Sequence, residues 1–554
     1  MVRIDRKAFL CYSNGRNEEG KETDAMSEKK KPGLLGYAAV MSVITVVSKL
    51  LGLLRDVLVA RSYGTNMESV AYVTASRLPT YIFDFVIGGV VTAAFIPVFN
   101  SILVKKGKQE AFKFANSYVN FILIATAVIA ALGIALAGPL VNLLAPDIDA
   151  ETAALAANLS RIMFPMIIFT GLAFSFVGIL QSMGEYNIPA LISLVSNVIM
   201  VGYLFTVNRF FGIVGLSVAM VIGWAAQALI QAPKLHKFGY RYRPCLPKFD
   251  ESLKRSLKNA VPILIGTWTT PICAVINSRV ASSLNDGRAI TALDYANRLY
   301  IIIVGVFSFV ATNLLFPYMS RAEASGDREE TTRLIRTSSK ALSYIIAPIA
   351  VGVALLAKPF IAVIYQRGEF TASDTGLTSE ALAAYCIGMV FMAINEVIVK
   401  SLFAANRPKA PMVSSLISMT VNVVVITVLR PYLGVGGIAL VSGIATVVNL
   451  AINLIFAGKH RICVCPWRDI FDMLKSAAAA AAMIPYLLFI TSRGWGSIPT
   501  LAAGAGGGAV IFVLVSLLFF SEEPRTVLKA LRKKKAAPEE ETEERAEEKE
   551  GEDE

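Results

Sequence analysis

Histidine is almost missing from this chain. Of 554 residues only two are histidine, His236 and His460, and both fall in basic stretches. No GxxxxGK[ST] phosphate loop occurs. The six cysteines are scattered, and Cys463-Val-Cys465 has no partner pair and a spacing too short for a zinc knuckle. Cys11, Cys245, Cys273 and Cys386 read as reduced or buried thiols. Asp147-Ile-Asp149 has the form of a metal-binding DxD, but Glu151 beside it points to a solvated helix start. The sites that catalysis needs are therefore largely absent, and neither an enzyme nor a bound cofactor or metal is expected. Charge is scarce as well: 17% of residues are Asp, Glu, Lys or Arg, against about 25% in soluble domains.

What is abundant is apolar. Hydrophobic residues make up 55% of the chain and mean hydropathy is +0.58. About 20 apolar residues cross a bilayer as a helix, and fourteen such segments are expected between residues 34 and 520. The fold class is an all-α polytopic membrane protein. Residues 1–33 form a polar N-terminal segment too long for a signal peptide. The tail 521–554 is charged and expected to be disordered.

Fourteen spans put both termini on one side. The termini and even-numbered connections hold 39 of the 53 Lys and Arg residues, whereas the other connections hold seven: Arg55, Arg61, Arg209, Arg288, Arg367, Arg430 and Arg493. By the positive-inside rule both termini are cytoplasmic. The net charge of +12 follows from that bias, and no nucleic-acid partner is expected.

The chain repeats itself. Arg77-Leu78 matches Arg298-Leu299, Phe95-Ile96-Pro97 matches Leu315-Phe316-Pro317, and Gly138-Pro139-Leu140 matches Lys358-Pro359-Phe360. Gly107 matches Gly326, Pro189 matches Pro411, and Gly212–Gly215 matches Gly434–Gly437. All six landmarks keep an offset between 219 and 222. Six segments separate the copies, so the repeats are parallel, as in transporters whose halves rock about a central site. The expected organisation is an N-lobe over 34–232, a basic linker over 233–258, a C-lobe over 259–457 and a further helix pair over 458–520.

Charges inside these segments mark a pathway, because a charge at the bilayer centre costs at least about 2.5–3.5 kcal/mol. The stretch from Ser48 to Pro97 carries Lys49, Arg55, Asp56, Arg61, Arg77 and Asp84. Four of the six are cationic, so an anion is the expected cargo. Arg55, Arg77, Arg298 and Lys49 are the candidate binding residues, and arginine's planar fork suits phosphate. Lys49 and Arg55 lie about 240° apart on a helix and do not share a narrow face. Asp84, seven residues after Arg77, and Asp294, four before Arg298, are candidates for holding those arginines or for coupling a cation. Glu396 is a further coupling candidate, although Lys400 stands at i+4 to neutralise it. Arg161 and Arg279 read equally well as interface anchors.

These residues together resemble the MurJ/MviN lipid II flippase family of the MOP exporter superfamily, over about residues 34–520. The resemblance is carried by Ser48-Lys49-Leu50-Leu51-Gly52-Leu53-Leu54-Arg55-Asp56, Ala75-Ser76-Arg77-Leu78-Pro79, Ala94-Phe95-Ile96-Pro97, Tyr295-Ala296-Asn297-Arg298-Leu299 and Gly368-Glu369-Phe370-Thr371. It implies two six-helix lobes around a cationic cavity, with two C-terminal helices forming a lipid-tail groove. It also implies pyrophosphate binding by Arg55 and Arg298, with Lys49 and Arg77 at matching basic positions. The implied cargo is an undecaprenyl-pyrophosphate-linked peptidoglycan precursor, turned from the inner to the outer leaflet of the bacterial cytoplasmic membrane by alternating access. Cell-wall synthesis machinery is the implied partner, and the membrane potential or a cation the implied driving force. Three positions depart from the family pattern. Its first-outer-loop acid falls at Val70, its second-helix arginine pair at Phe83-Asp84, and its Glu-Gly-Ala turn at Gly88-Gly89-Val90. The alternatives are a flippase for another undecaprenyl-linked glycan, a sporulation-specific paralogue, or a MATE-like drug/cation antiporter. An antiporter calls for an acidic or aromatic cavity.

Overall fold

Breaks at proline set the shape of the helices. In the computed structural model, which describes residues 34–86, 94–247, 249–405, 407–460, 462 and 467–519, every described regular element is a helix. The first half runs α1 (Leu34–Tyr63), α2 (Met67–Val86), α3 (Ile96–Lys106), α4 (Lys108–Ala135), α5 (Ala137–Leu144), α6 (Ala150–Met163), α7 (Met166–Ser182), α8 (Asn187–Thr206), α9 (Asn208–Leu229) and the short α10 (Ala232–Lys237). The second runs α11 (Glu251–Thr267), α12 (Thr269–Ala281), α13 (Arg288–Ser325), α14 (Arg328–Leu355), α15 (Ala357–Tyr365), α16 (Ala372–Cys386), α17 (Met389–Ala404), α18 (Lys409–Leu429) and α19 (Val435–Lys459). Then come α20 (Trp467–Ala481), α21 (Ile484–Ser492) and α22 (Ser497–Phe519).

Among the described residues nine helices are long and apolar enough to cross a membrane, or up to 11 if each bent pair is one span. The chain is an integral membrane protein. This count of spans is lower than the fourteen expected segments, several of which are interrupted helices and one of which, 70–104, runs through residues outside the described ones. The N-terminal segment 1–33, the tail 521–554, the Gly88-Gly89-Val90 turn, Cys463 and Cys465 lie outside the described residues.

The two halves break at matching places. Helix α4 stops at Leu136 (φ −97°, ψ 13°) and α14 at Leu356 (φ −96°, ψ 15°). Each break precedes Pro139 or Pro359 by three residues, where the ring removes an N–H and crowds the preceding turn. The pairs α6–α7 and α16–α17 bend by 40° and 48°. Pro165 causes the first bend, and Gly388, pressed against Gly443, sits at the second. Packing repeats likewise: α2 on α6, α4 on α7, α7 on α9 and α8 on α9 are mirrored by α13 on α16, α14 on α17, α17 on α19 and α18 on α19. One core runs through both halves. A smaller one, around Ala347, Leu356, Ala480, Met483, Leu487 and Phe512, fastens the last three helices to α14 and α15.

Candidate functional site

Five charged side chains meet where α1, α2 and α13 come together. Arg55 donates from Nε and Nη2 to Oδ1 of Asp56, at 3.0 and 2.9 Å. The other oxygen of Asp56 lies 3.6 Å from Nε of Arg298. Arg298 donates to Asp294 at 2.8 Å, and Arg77 donates to the second oxygen of Asp294 at 2.9 Å and to the Ser278 hydroxyl at 2.6 Å. Cations and anions thus alternate in the order Arg55, Asp56, Arg298, Asp294, Arg77. Three arginines against two carboxylates leave one positive charge. Alternation is what makes three cations tolerable in a low-dielectric interior, since each has a counter-charge in contact. Arg298, at the centre of the chain, is the most open of the three arginines, with 42% of its side chain exposed against 20% for Arg55 and 18% for Arg77. The chain of charges crosses from the first half to the second twice.

The other predicted residues are placed as follows. Lys49 reaches from α1 to α13, its Nζ beside Gly305, where a side chain would collide with it. Asp294 touches both Arg298, one turn on, and Arg77. That corrects the expectation that Asp84 holds Arg77: an acid of the opposite half does so, and spacing along one helix could not reveal it. Glu396 is half-buried on α17. Two residues that sequence reasoning missed are also in contact. Asn197 of α8 accepts a bond from Nη1 of Arg55 at 3.0 Å, and Ser278 of α12 accepts from Arg77. An asparagine inside an apolar run was the available signal for the first.

At the end of the bundle that the basic-residue pattern assigns to the outside, the halves touch directly. Arg288, at the start of α13, pairs with Asp374 of α16 and donates from Nε to the Thr65 hydroxyl at 3.0 Å. Thr65 itself donates to Asp374. The backbone joins in, as Glu369 N donates to Arg61 O at 2.9 Å. Gly64 and Gly368 carry positive φ (52° and 60°), and a Cβ on either would come within 2.4 Å of the facing chain. Only glycine allows that approach. A second contact lies across the same end, where Asp147 takes the Arg430 guanidinium at 2.8 Å and Arg279 donates to Leu143 O at 3.2 Å. Asp149, at that rim, caps α6, and the Thr152 hydroxyl and N–H hold its carboxyl below the usual carboxylate range.

Two further features flank the centre. A cavity of 480 Å³ between α14, α17, α19 and α20 is walled almost wholly by apolar side chains such as Ala350, Val390, Ile394, Leu454 and Met473. Its polar rim is an ion-pair cluster: Arg336 and Lys340 on Asp469, with Lys340 and Lys475 on Asp472. At the basic end, residues 240–243 are strapped along α4. Asn116 accepts from the Tyr240 hydroxyl and Arg243 N and donates to Arg241 O, while Asn120 accepts from the Tyr242 hydroxyl and donates to Arg243 O.

Comparison with known proteins adds four findings. A family profile described as "Lipid II flippase MurJ" matches residues 59–503. A "Probable lipid II flippase MurJ" of Bdellovibrio bacteriovorus is 27% identical over 86% of this chain and 92% of its own length. Among solved structures, "Lipid II flippase MurJ, inward closed conformation" superposes with a TM-score of 0.76 at 25% identity, covering 87% of this chain and 98% of that one. A MATE-family multidrug transporter of the MOP superfamily superposes with a TM-score of 0.64 at 17% identity, over 77% of this chain and 98% of that one, a likeness of fold.

Proposed function

The chain belongs to the lipid II flippase MurJ family, and from that premise we propose that it turns lipid II from the inner to the outer leaflet of the bacterial cytoplasmic membrane. The observation that carries the reading is the alternating chain of three arginines and two aspartates joining the two halves. It keeps one net positive charge and one open guanidinium, Arg298. Arg55 and Arg298 take the pyrophosphate, Arg77 holds Asp294 in register, and Lys49 adds charge at the α1–α13 seam. Guanidinium forks bind two phosphate oxygens at once, which an ammonium cannot do. The apolar cavity at α14 and α20 suits the polyprenyl tail, which stays in a lipid-like surround while the headgroup crosses. Both termini face the cytoplasm.

The two repeats act as lobes. Matching breaks at Leu136 and Leu356 and matching bends in α6–α7 and α16–α17 support that view. The electric field can supply the work without a cofactor. A pyrophosphate of about two negative charges offsets the net charge of the arginine–aspartate chain and that of Lys49. An inside-negative potential then favours the return of the empty, positive site, by about 2.3 kcal/mol per charge per 100 mV.

The test is complementation of a cell depleted of its own lipid II flippase. Arg55→Ala and Arg298→Ala each abolish growth at normal expression, because losing one donor to a desolvated phosphate removes about 1.5–3 kcal/mol. Arg55→Lys and Arg298→Lys rescue in part. Normal growth of both alanine variants removes the basis of the proposal. Headgroup analysis of the lipid that accumulates on depletion separates lipid II from any other undecaprenyl-linked glycan.

A further inference from the structure

We infer that Asn197 is the residue that aims Arg55 at the headgroup; the inference rests on the proposed reading of the arginine–aspartate chain as the headgroup site. Asn197 lies on α8, buried at 7% exposure, in the mostly apolar run LISLVSNVIM. Its Oδ1 accepts from Nη1 of Arg55 at 3.0 Å, and its Nδ2 donates to Ser48 O on α1 at 3.2 Å. A guanidinium only donates and a carbonyl only accepts, so one orientation of the amide satisfies both bonds and the flipped one satisfies neither. Gly52 lies against this amide, where a Cβ would stand 3.4 Å from Nδ2 in ordinary contact. The amide therefore ties the backbone of α1 to the side chain of Arg55.

That bond does something Asp56 cannot. Asp56 occupies the Nε–Nη2 edge of Arg55 and brings a negative charge with it. Asn197 holds the third nitrogen with a neutral acceptor, so the fork is oriented without losing its charge. Of the five N–H donors of Arg55, three are engaged and two are left for an incoming anion. An aspartate at this place would still accept from Nη1, but it would lose the donor to Ser48 O and bring the five-residue chain from one net positive charge to none. Neutrality at position 197 is thus part of what makes the site accept an anion.

The experiment uses the full-length purified chain, with inorganic pyrophosphate as the probe and calorimetry as the readout. Asn197→Asp keeps the size and the acceptor. It lowers pyrophosphate affinity about ten- to hundredfold, comparable to one charge-assisted hydrogen bond. Asn197→Ala, which loosens the fork but keeps the charge, lowers it about three- to tenfold. Asn197→Asp combined with Asp56→Asn moves the acid to the other side of Arg55, restores the net charge and recovers most of the affinity. A merely structural asparagine would not show that recovery. Thermal unfolding of each variant reports the fold, and the alanine variant carries the test should the aspartate variant not fold. Wild-type affinity in both single variants, or a double variant no better than Asn197→Asp, overturns the inference. Arg55→Ala separates the two levels. If it too binds pyrophosphate normally, the headgroup reading itself fails. If it loses binding while Asn197→Asp does not, only the role of Asn197 fails.

Discussion

The contact of Arg288 with Asp374 and Thr65 holds the outer ends of the two halves together, and Arg288→Ala measures how strongly. Asp374 is 2% exposed and also closes the capping box of α16 with Thr371. Removing the arginine therefore leaves the helix cap intact and strips a buried carboxylate of its counter-charge. Breaking one side of a buried pair costs about 3–5 kcal/mol. Arg288 is 34% exposed, so water can partly replace it, and about 1.5–2.5 kcal/mol is the appropriate figure. All of it falls on the state in which the halves touch here. At about 1.4 kcal/mol per factor of ten, the ratio of outer-closed to outer-open molecules drops about ten- to sixtyfold. Val70 is the reporter position: it is 1% exposed, and Gly287 of the other half faces it, a Cβ there standing 3.3 Å from its Cγ1. With the six native cysteines replaced, a Val70→Cys side chain reacts with an impermeant thiol reagent only when this end opens. Arg288→Ala should speed that labelling at least tenfold. A rate within twofold of the parent, in a variant that unfolds at the parental temperature, refutes the assignment of this contact as a closing one.

Three more outcomes follow from the same geometry. A cysteine pair at Thr65 and Asp374, whose side chains hydrogen-bond across the halves, should oxidise to a disulfide that stops transport and should release it on reduction; oxidation without loss of transport argues against rocking lobes. Cysteines replacing Asp149 or Ser373, both exposed, should label from outside intact cells and one replacing Lys254 should not, so labelling at Lys254 reverses the topology. Asn116→Ala with Asn120→Ala should free the 240–243 strap and speed tryptic cleavage at Arg241 several-fold, each lost hydrogen bond being worth about 1 kcal/mol; unchanged cleavage means other contacts hold the strap.

The helical, membrane-embedded fold was legible because the bilayer imposes one rule on every segment, and apolar length reports it directly. The repeat was legible too, since Pro139 and Pro359 act through the same local backbone chemistry that breaks α4 and α14 at Leu136 and Leu356. Partnerships across the halves were not. Arg77 and Asp294 are 217 residues apart, and no periodicity along one helix could choose Asp294 over Asp84. Thr65, Arg288 and Asp374 sit in three separate turns, each unremarkable alone. Asn197 could have been found by extending to amides the rule applied to charges, because a buried amide also needs partners.

The two repeats differ at a position that bears on the sign of the site. Arg77 and Arg298 are equivalent at an offset of 221, and Asp294 stands four residues before Arg298. The same offset carries Asp294 back to Val73, four residues before Arg77 and buried at 6% exposure. A fully symmetric chain would have an acid there, each arginine would have its own carboxylate, and three cations would face three anions. With valine at 73, one aspartate serves both arginines and a positive charge is left over, which the proposed function assigns to the cargo. Val73→Asp restores the symmetry. Its carboxylate can reach Arg77 across one helical turn, which frees Asp294 to neutralise Arg298 alone. Complementation and pyrophosphate binding should then both fall at least tenfold, while Val73→Thr, of the same shape and without charge, keeps both near normal. Loss of both activities in Val73→Thr would show that packing, not charge, governs the position, whereas full activity in a folded Val73→Asp would mean that the leftover charge is not what binds the cargo.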